Sequence, residues 1–192
     1  MPDRMKLLYT QSIQTQIACA ELLPEALDRA ADLLTHSVLN GQRVFVGGHG
    51  GAAAVAQLFA HYLTYGHGFE RPPFPAILLP ATLNTTDTHT DSLARPVSAL
   101  GQANDILVVC SAETHAPALT RAMEAALSRD MIIVALTGDD DQDIAGLLGP
   151  EDVEIRVPAT SGCRVTEQLL FAVHALCEAI ERTIFPQEDD ES

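Results

Sequence analysis

The sequence predicts an α/β fold in which a five-stranded parallel sheet is flanked by helices. Short runs rich in Val, Ile and Leu recur from residue 43 onward, at 44–47, 76–79, 106–110, 131–136 and 153–157. The runs end in small or polar residues and alternate with helical stretches, which is the signature of β and α units in succession. They are continuous rather than alternating, as strands buried on both faces require, so helices must cover both sides of the sheet.

Residues from about 4 to 39 read as two helices with no strand before them. Leu27, Ala30, Ala31, Leu34 and Val38 share one stripe, and Pro24 suits a first helical turn. The N-terminal helices therefore occupy 4–40 and the α/β core 43–186, and residues 1–186 read as a single domain. Between the strands, 51–65, 115–129 and 164–184 have helical spacing. In the last of these Val165, Leu169, Val173, Leu176, Ile180 and Ile184 recur at steps of three and four. Residues 80–96, with Asn84 and a threonine-rich run from Thr85 to Thr90, lack a period and read as a long loop or a distorted helix. Long loops in compact domains are often functional. After Phe185 and Pro186, residues 187–192 are acidic and lack core-forming side chains, so a disordered tail is expected.

Composition narrows the function. With 192 residues, 47% of them hydrophobic, the chain can bury a core without staples. Lys and Arg total 11 against 26 Asp and Glu, a net charge of −15 that repels phosphate backbones and disfavours direct contact with DNA. No apolar run approaches the roughly 20 residues that span a bilayer, so no membrane association is expected. Residues 1–16 lack the apolar middle of a signal peptide, which points to the cytoplasm. The charged fraction of 19% is low for a soluble domain, and with so many Ala and Leu positions it suggests helical faces hidden in subunit contacts. Cys19, Cys110, Cys163 and Cys177 form no CxxC pair and no zinc-site spacing. Each is expected to pack as a small apolar residue, and no metal is expected.

In an open parallel sheet, ligands bind beyond the carboxyl ends of the strands. The first loop there contains Gly48, His49, Gly50 and Gly51. Glycines let the backbone approach an anion, and the N–H groups opening the next helix supply donors; a tight strand-to-helix turn accounts for the same residues equally well. The third glycine of G-x-G-x-x-G is missing and the next strand ends at Leu79-Pro80 without an acid, which excludes NAD. No Lys-Ser or Lys-Thr follows, which excludes a Walker loop, and no cofactor is expected. The second loop, Ser111-Ala-Glu-Thr-His-Ala116, offers the hydroxyls of Ser111 and Thr114 to phosphate oxygens, while Glu113 opposes a phosphate dianion. In the third, Asp139, Asp141 and Asp143 have calcium-loop spacing, but Ile144 stands where that loop needs Gly and Pro150 where it needs Glu. Capping of a short helix is the better reading.

Seven histidines invite an acid–base or metal reading. His36 falls within a helix, and His61 and His67, six apart, do not share a helical face. His49, His89 and His115 lie in segments that can meet at the crevice; solvated or hydrogen-bonded histidines are the plainer alternative. Glu167, in the first turn of the last helix, is placed either to reach the crevice as a base or to complement the helix dipole.

Beyond these local readings, Val44-Phe-Val-Gly-Gly-His-Gly-Gly-Ala52, Gln57-Leu-Phe-Ala60, Glu70-Arg-Pro-Pro-Phe-Pro-Ala-Ile77 and Ser128-Arg-Asp-Met-Ile-Ile-Val-Ala-Leu-Thr-Gly138 resemble the SIS (sugar isomerase) domain family of the phosphoheptose isomerase group. Ser12-Ile-Gln-Thr-Gln-Ile17, Ala145-Gly-Leu-Leu-Gly-Pro150, Asp152-Val-Glu-Ile-Arg156 and Thr183-Ile-Phe-Pro186 resemble its branch that associates with the replication initiator DnaA. The resemblance covers nearly the whole chain. It implies an SIS-type three-layer sandwich, N-terminal helices in the oligomer contact, a homotetramer, and a non-catalytic adaptor. Such an adaptor binds several DnaA molecules at the origin and meets DNA only through DnaA.

The isomerases of the family convert sedoheptulose 7-phosphate with a Glu and a His. His61 and Tyr62 stand where they have two glutamates, and Leu169 stands at the His position, so a proton shuttle lacks its titrating groups. The family's Gly-Asn-Gly becomes Gly48-His-Gly50, its next Ser becomes Ala52, and its Ser-x-Ser/Arg-Gly-Asn-Ser loop becomes residues 111–116. The phosphosugar-like crevice is thus assigned to Gly48, His49, Gly50, Gly51, Ser111, Thr114 and Glu167. Phe185 is the candidate partner contact, or else folds back on its own core, and Ile184 is the candidate subunit contact. The rival readings are a phosphosugar isomerase with a rearranged site, needing His61, His89 or Glu167 to converge, and a phosphosugar sensor.

Overall fold

The computed structural model describes residues 2–80 and 91–186; His89, the run 84–90 and the acidic segment 187–192 lie outside them. Helices α1 (Pro2–Leu22) and α2 (Pro24–Leu39) open the chain, separated by Leu23. Pro24 occupies a first-turn position of α2, where a missing N–H costs nothing. Then follow β1 (Val44–Gly48), α3 (Ala52–Tyr65), β2 (Ala76–Leu78), α4 (Ala94–Leu100), β3 (Ile106–Cys110) and α5 (Pro117–Leu127). The chain continues through β4 (Ile132–Gly138), α6 (Gln142–Ala145), β5 (Val153–Val157) and α7 (Gly162–Ile184).

All strand pairs are parallel, and the sheet order is β2-β1-β3-β4-β5. Successive strand residues point to opposite faces and so build two cores. Val44, Val46, Val108, Val134 and Ile155 join the face covered by α2, α3 and α7, while Phe45, Leu107, Val109 and Ile133 join the face covered by α4 and α5. The expected three-layer arrangement is therefore present.

Burial on both faces holds for β1 and β3, and for all but the first residue of β4. The edge strands differ: β5 buries only Val153, Ile155 and Val157, leaving Glu154 and Arg156 to pair with each other at 3.1 Å, and β2 is half-buried at best. Helix α4 begins inside the stretch read as a loop. With seven residues, of which Val97 is buried, it is too short for a 3.6 period to show in sequence.

Two buried aspartates anchor the sheet. Asp105 accepts the N–H of Arg43 at 2.8 Å and of Gln102 at 2.9 Å and pairs with the Arg43 guanidinium at 3.1 Å, fixing the starts of β1 and β3 together. Asp141, 2% exposed, caps α6 through the N–H of Ile144, as the capping reading of its loop requires. Burial pushes its carboxyl above the ordinary range, opposed in part by that N–H.

Cys19, Cys110 and Cys177 are buried, as expected, and burial drives the Cys110 and Cys177 thiols up to about 12. Cys163 is exposed, contrary to expectation. The reason is that α7 starts at Gly162, two residues earlier than the sequence period suggests, which puts Cys163 on its first exposed turn. The same shift moves Glu167 from the first turn to the second. Helix α1 leaves Met5, Tyr9, Ile13 and Ile17, four residues apart, exposed along one line. No helix among the described residues is long and apolar enough to cross a membrane.

Candidate functional site

The strand order reverses direction at the junction of β1 and β3, and that is where a parallel sheet opens its crevice. Gly48 pairs in register with Cys110, and the N–H of His49 donates to the Cys110 carbonyl at 3.0 Å. The loop after β1 thus lies beside the loop after β3. Over them opens a cavity of about 800 Å³ between α3 (Val55, Leu58) and α7 (Thr166, Glu167, Leu170), with Gly51 and Glu113 on its wall.

The four residues of the first loop have different reasons to be there. A Cβ on Gly48 would come within 2.6 Å of the Ala53 Cα and 2.8 Å of the Ala52 carbonyl, so the strand meets the helix only because that atom is missing. Gly50 has φ +55°, a left-handed conformation that favours glycine. At both positions the turn itself requires glycine. Gly51 differs: a Cβ there would meet nothing nearer than the Thr166 hydroxyl at 3.9 Å. His49 is buried, with Nε2 3.9 Å from a Glu113 carboxylate oxygen.

The second loop closes on itself. The Ser111 hydroxyl is fully buried; it donates to the Glu113 carbonyl at 3.0 Å and accepts the Glu113 N–H at 3.3 Å. It is therefore engaged by its own turn and by the Asp141 carboxyl of the neighbouring loop. Thr114 is exposed and lines a separate, much smaller hollow with Asp140 and Asp141. His115 is exposed too and pairs with Asp143 at 3.0 Å. The structure brings Gly51, Glu113 and Glu167 to one cavity and keeps Thr114 and His115 away from it.

Glu167 is held on both sides, by the Arg164 guanidinium at 2.7 Å and by the Ser12 hydroxyl of α1 at 2.9 Å. Those bonds tie α1 to α7, which is a structural use rather than that of a free base. Leu169 is buried in the core. His61 is exposed and faces Tyr65, with ring centroids 4.8 Å apart, and is not among the residues that line the cavity. No group of three or more His, Cys, Asp or Glu among the described residues is arranged to hold a metal.

A second constellation went unread in the sequence. Tyr62, His67 and His174 cluster at the far end of α3, the two imidazoles 5.3 Å apart and the Tyr62 hydroxyl 3.5 Å from His174 Nε2. Beside them Arg71, buried, donates from Nε to Glu181 at 2.8 Å and lies 3.5 Å above the Phe74 ring. Phe74 stacks on Phe185 at 6.2 Å, and Phe69 meets Phe185 edge-on at 6.0 Å. Phe185 thus folds back on its own subunit while remaining half-buried, and Ile184 is half-buried beside it. The run Glu70-Arg-Pro-Pro, a charge followed by two prolines, is the available signal for a fixed arginine.

The family model described as "SIS domain" matches residues 9–138. A protein named DnaA initiator-associating protein DiaA from Citrobacter koseri is 46% identical over 197 residues, 99% of this chain and 100% of the relative. Its counterpart of the same name in Photorhabdus laumondii is 44% identical over 196 residues, with 99% and 100% covered. Among solved structures, a phosphoheptose isomerase from Francisella tularensis superposes with a TM-score of 0.82 at 31% identity, covering 94% of this chain and 97% of that one.

Proposed function

This chain belongs to the SIS-domain family, and from that premise we propose that it is a non-catalytic adaptor that binds DnaA and promotes initiator assembly at the replication origin. The observation that carries this reading is likeness from end to end, including both termini, to proteins named for association with DnaA. The crevice supports it from the other side. A proton shuttle between carbon centres needs a titrating group at each end of the path. Here Leu169 is buried in the core, His61 packs on Tyr65 and does not line the cavity, and Glu167 is engaged by Arg164 and Ser12. Among the described residues that line the cavity, Glu167 is engaged and the remaining titratable side chains are Glu113 and Cys163, so the isomerase alternative lacks the Glu and His of its shuttle.

In this reading the adaptor works in the cytoplasm as a homotetramer, with α1 and Ile184 among its subunit contacts. Phe185, held by Phe69 and Phe74, is the partner contact. DNA is met only through DnaA, which suits a net charge of −15. Multivalency then does the work that chemistry does in an enzyme: holding several initiators together raises their effective concentration for one another.

The test is a calorimetric titration of the purified protein with DnaA from the same organism, run in parallel with Phe185→Ala and with light scattering to monitor assembly. Binding at about one initiator per protomer, weakened by the substitution with the assembly intact, is the expected result. No heat and no complex would overturn the adaptor reading.

A further inference from the structure

We propose that Glu113 is an internal anion: its carboxylate occupies the place beside Gly50 that a bound phosphate would take, and so closes the 800 Å³ cavity to phosphorylated small molecules. It is a residue that sets specificity by exclusion, and it does so whether or not DnaA is the partner.

Three observations support it. A Cβ built on Gly50 would stand 2.1 Å from Glu113 Oε1, so the carboxylate lies in direct contact with the one face of the loop that glycine leaves bare. The other carboxylate oxygen faces the buried His49 ring at 3.9 Å, so the group, with 39% of its side chain exposed, bridges the two loops at the mouth of the crevice. The cavity begins at that point, with Gly51 and Glu113 on the same wall.

The field in the cavity follows from what else faces it. Ala54, Val55, Leu58 and Leu170 contribute no charge, and Glu167 is already matched by Arg164 at 2.7 Å. Glu113 is thus the charge left over among the cavity's described lining residues, and it is negative. A phosphate entering beside Gly50 would meet both the volume of this side chain and the repulsion of its charge. Like charges a few ångströms apart repel, with solvent screening part of the effect at this half-exposed carboxylate. The Ser111 hydroxyl, turned back onto the Glu113 backbone, gives such a phosphate nothing in return.

The experiment compares wild type, Glu113→Ser and Glu113→Gln in thermal unfolding against inorganic phosphate and a hexose 6-phosphate, with the unphosphorylated hexose as control. A ligand that binds only the folded state must raise Tm. Neither phosphate is expected to shift the wild type. Glu113→Ser is expected to melt lower than wild type without ligand, since its loops lose their anion. Phosphate should then restore it in a dose-dependent way, with affinity at least about tenfold above wild type. Glu113→Gln removes the charge but keeps the volume, so its response should be smaller; should Glu113→Ser fail to fold, any phosphate response in Glu113→Gln decides for the proposal and none decides against it. A phosphate shift in wild type equal to that in the variants would overturn it, as would a folded Glu113→Ser that ignores phosphate. Both readings are made on the purified protein alone, so failure here leaves the DnaA titration untouched.

Discussion

Arg71 and Glu181 meet at 2.8 Å with both side chains almost wholly buried, and the pair ties the loop after α3 to the last turns of α7. Arg71 also donates to the carbonyls of Tyr62, Leu63 and Pro72, and Glu181 accepts the N–H groups of His67 and Gly68. The guanidinium also presses on Phe74, which stacks on Phe185. A continuous line of contacts therefore runs from a buried ion pair to the proposed partner contact.

Removing one partner of such a pair leaves an uncompensated buried charge, which costs about 3–5 kcal/mol. Arg71→Met and Glu181→Gln should each lower the unfolding free energy in urea, Arg71→Met by about that amount. The double variant should lose less than the sum of the two. Strict additivity would mean that the two side chains act separately.

The pair also sets a pH dependence. Burial alone would raise the Glu181 carboxyl, but the His67 N–H, the Arg71 guanidinium and the Gly68 N–H outweigh it and hold it below its ordinary value. A carboxyl depressed in the folded state stabilises that state above its unfolded pKa, about 4.3, and the benefit is lost as pH falls through the folded value. The stability gap between wild type and Glu181→Gln should therefore stay level from neutral pH to about pH 5 and shrink only in stronger acid. A gap that narrows between pH 7 and 6 would assign the effect to another group.

What could be read from sequence follows the strength of the local signal. The strands at 106–110 and 153–157 stand at the predicted residues, because a short apolar run between polar loops has few other ways to bury itself. The start of α7 was missed by two residues because Gly162 and Cys163 precede the periodic stripe and contribute nothing to it. At the crevice, the sequence puts Gly51 and Glu113 each in a loop that follows a strand, and the β1–β3 pairing is what sets those loops side by side. Sequence could not show that the Ser111 hydroxyl turns inward, nor that Thr114 faces a different hollow, because both depend on the path of a six-residue loop. The Arg71–Glu181 pair joins residues 110 apart, a separation at which no periodicity carries information.

The two glycine roles in the first loop are separable by mutation. Gly48→Ala drives a methyl into the Ala53 backbone, which has no flexible end to move aside, and should cost about 3 kcal/mol, at the upper end for overpacking. Gly51→Ala places its methyl in open space and should change stability by no more than about 0.5 kcal/mol. Chemical denaturation of both variants checks this, and equal losses would contradict the distinction drawn between them.

The bare line on α1 makes the last prediction. Tyr9, Ile13 and Ile17 are 73%, 57% and 56% exposed, on a helix joined to the rest of the described structure at Cys19 and through the Ser12–Glu167 and Leu8–Arg164 bonds. Helices in proteins are held chiefly by packing an apolar face, so a 21-residue helix with this face uncovered calls for a second surface. If that surface belongs to another copy of the chain, Ile13→Glu with Ile17→Glu should reduce the mass seen by light scattering. The unfolding of the α/β core should persist, because neither side chain enters it. The same variant isolates what assembly contributes to DnaA binding. Heat per protomer should survive, since Phe185 lies at the other end of the chain, whereas apparent affinity for DnaA gathered on origin DNA should fall by about 100-fold, the scale on which linked sites outbind single ones. An unchanged mass would place the subunit contact elsewhere, and an unchanged affinity at reduced mass would show that a single protomer suffices.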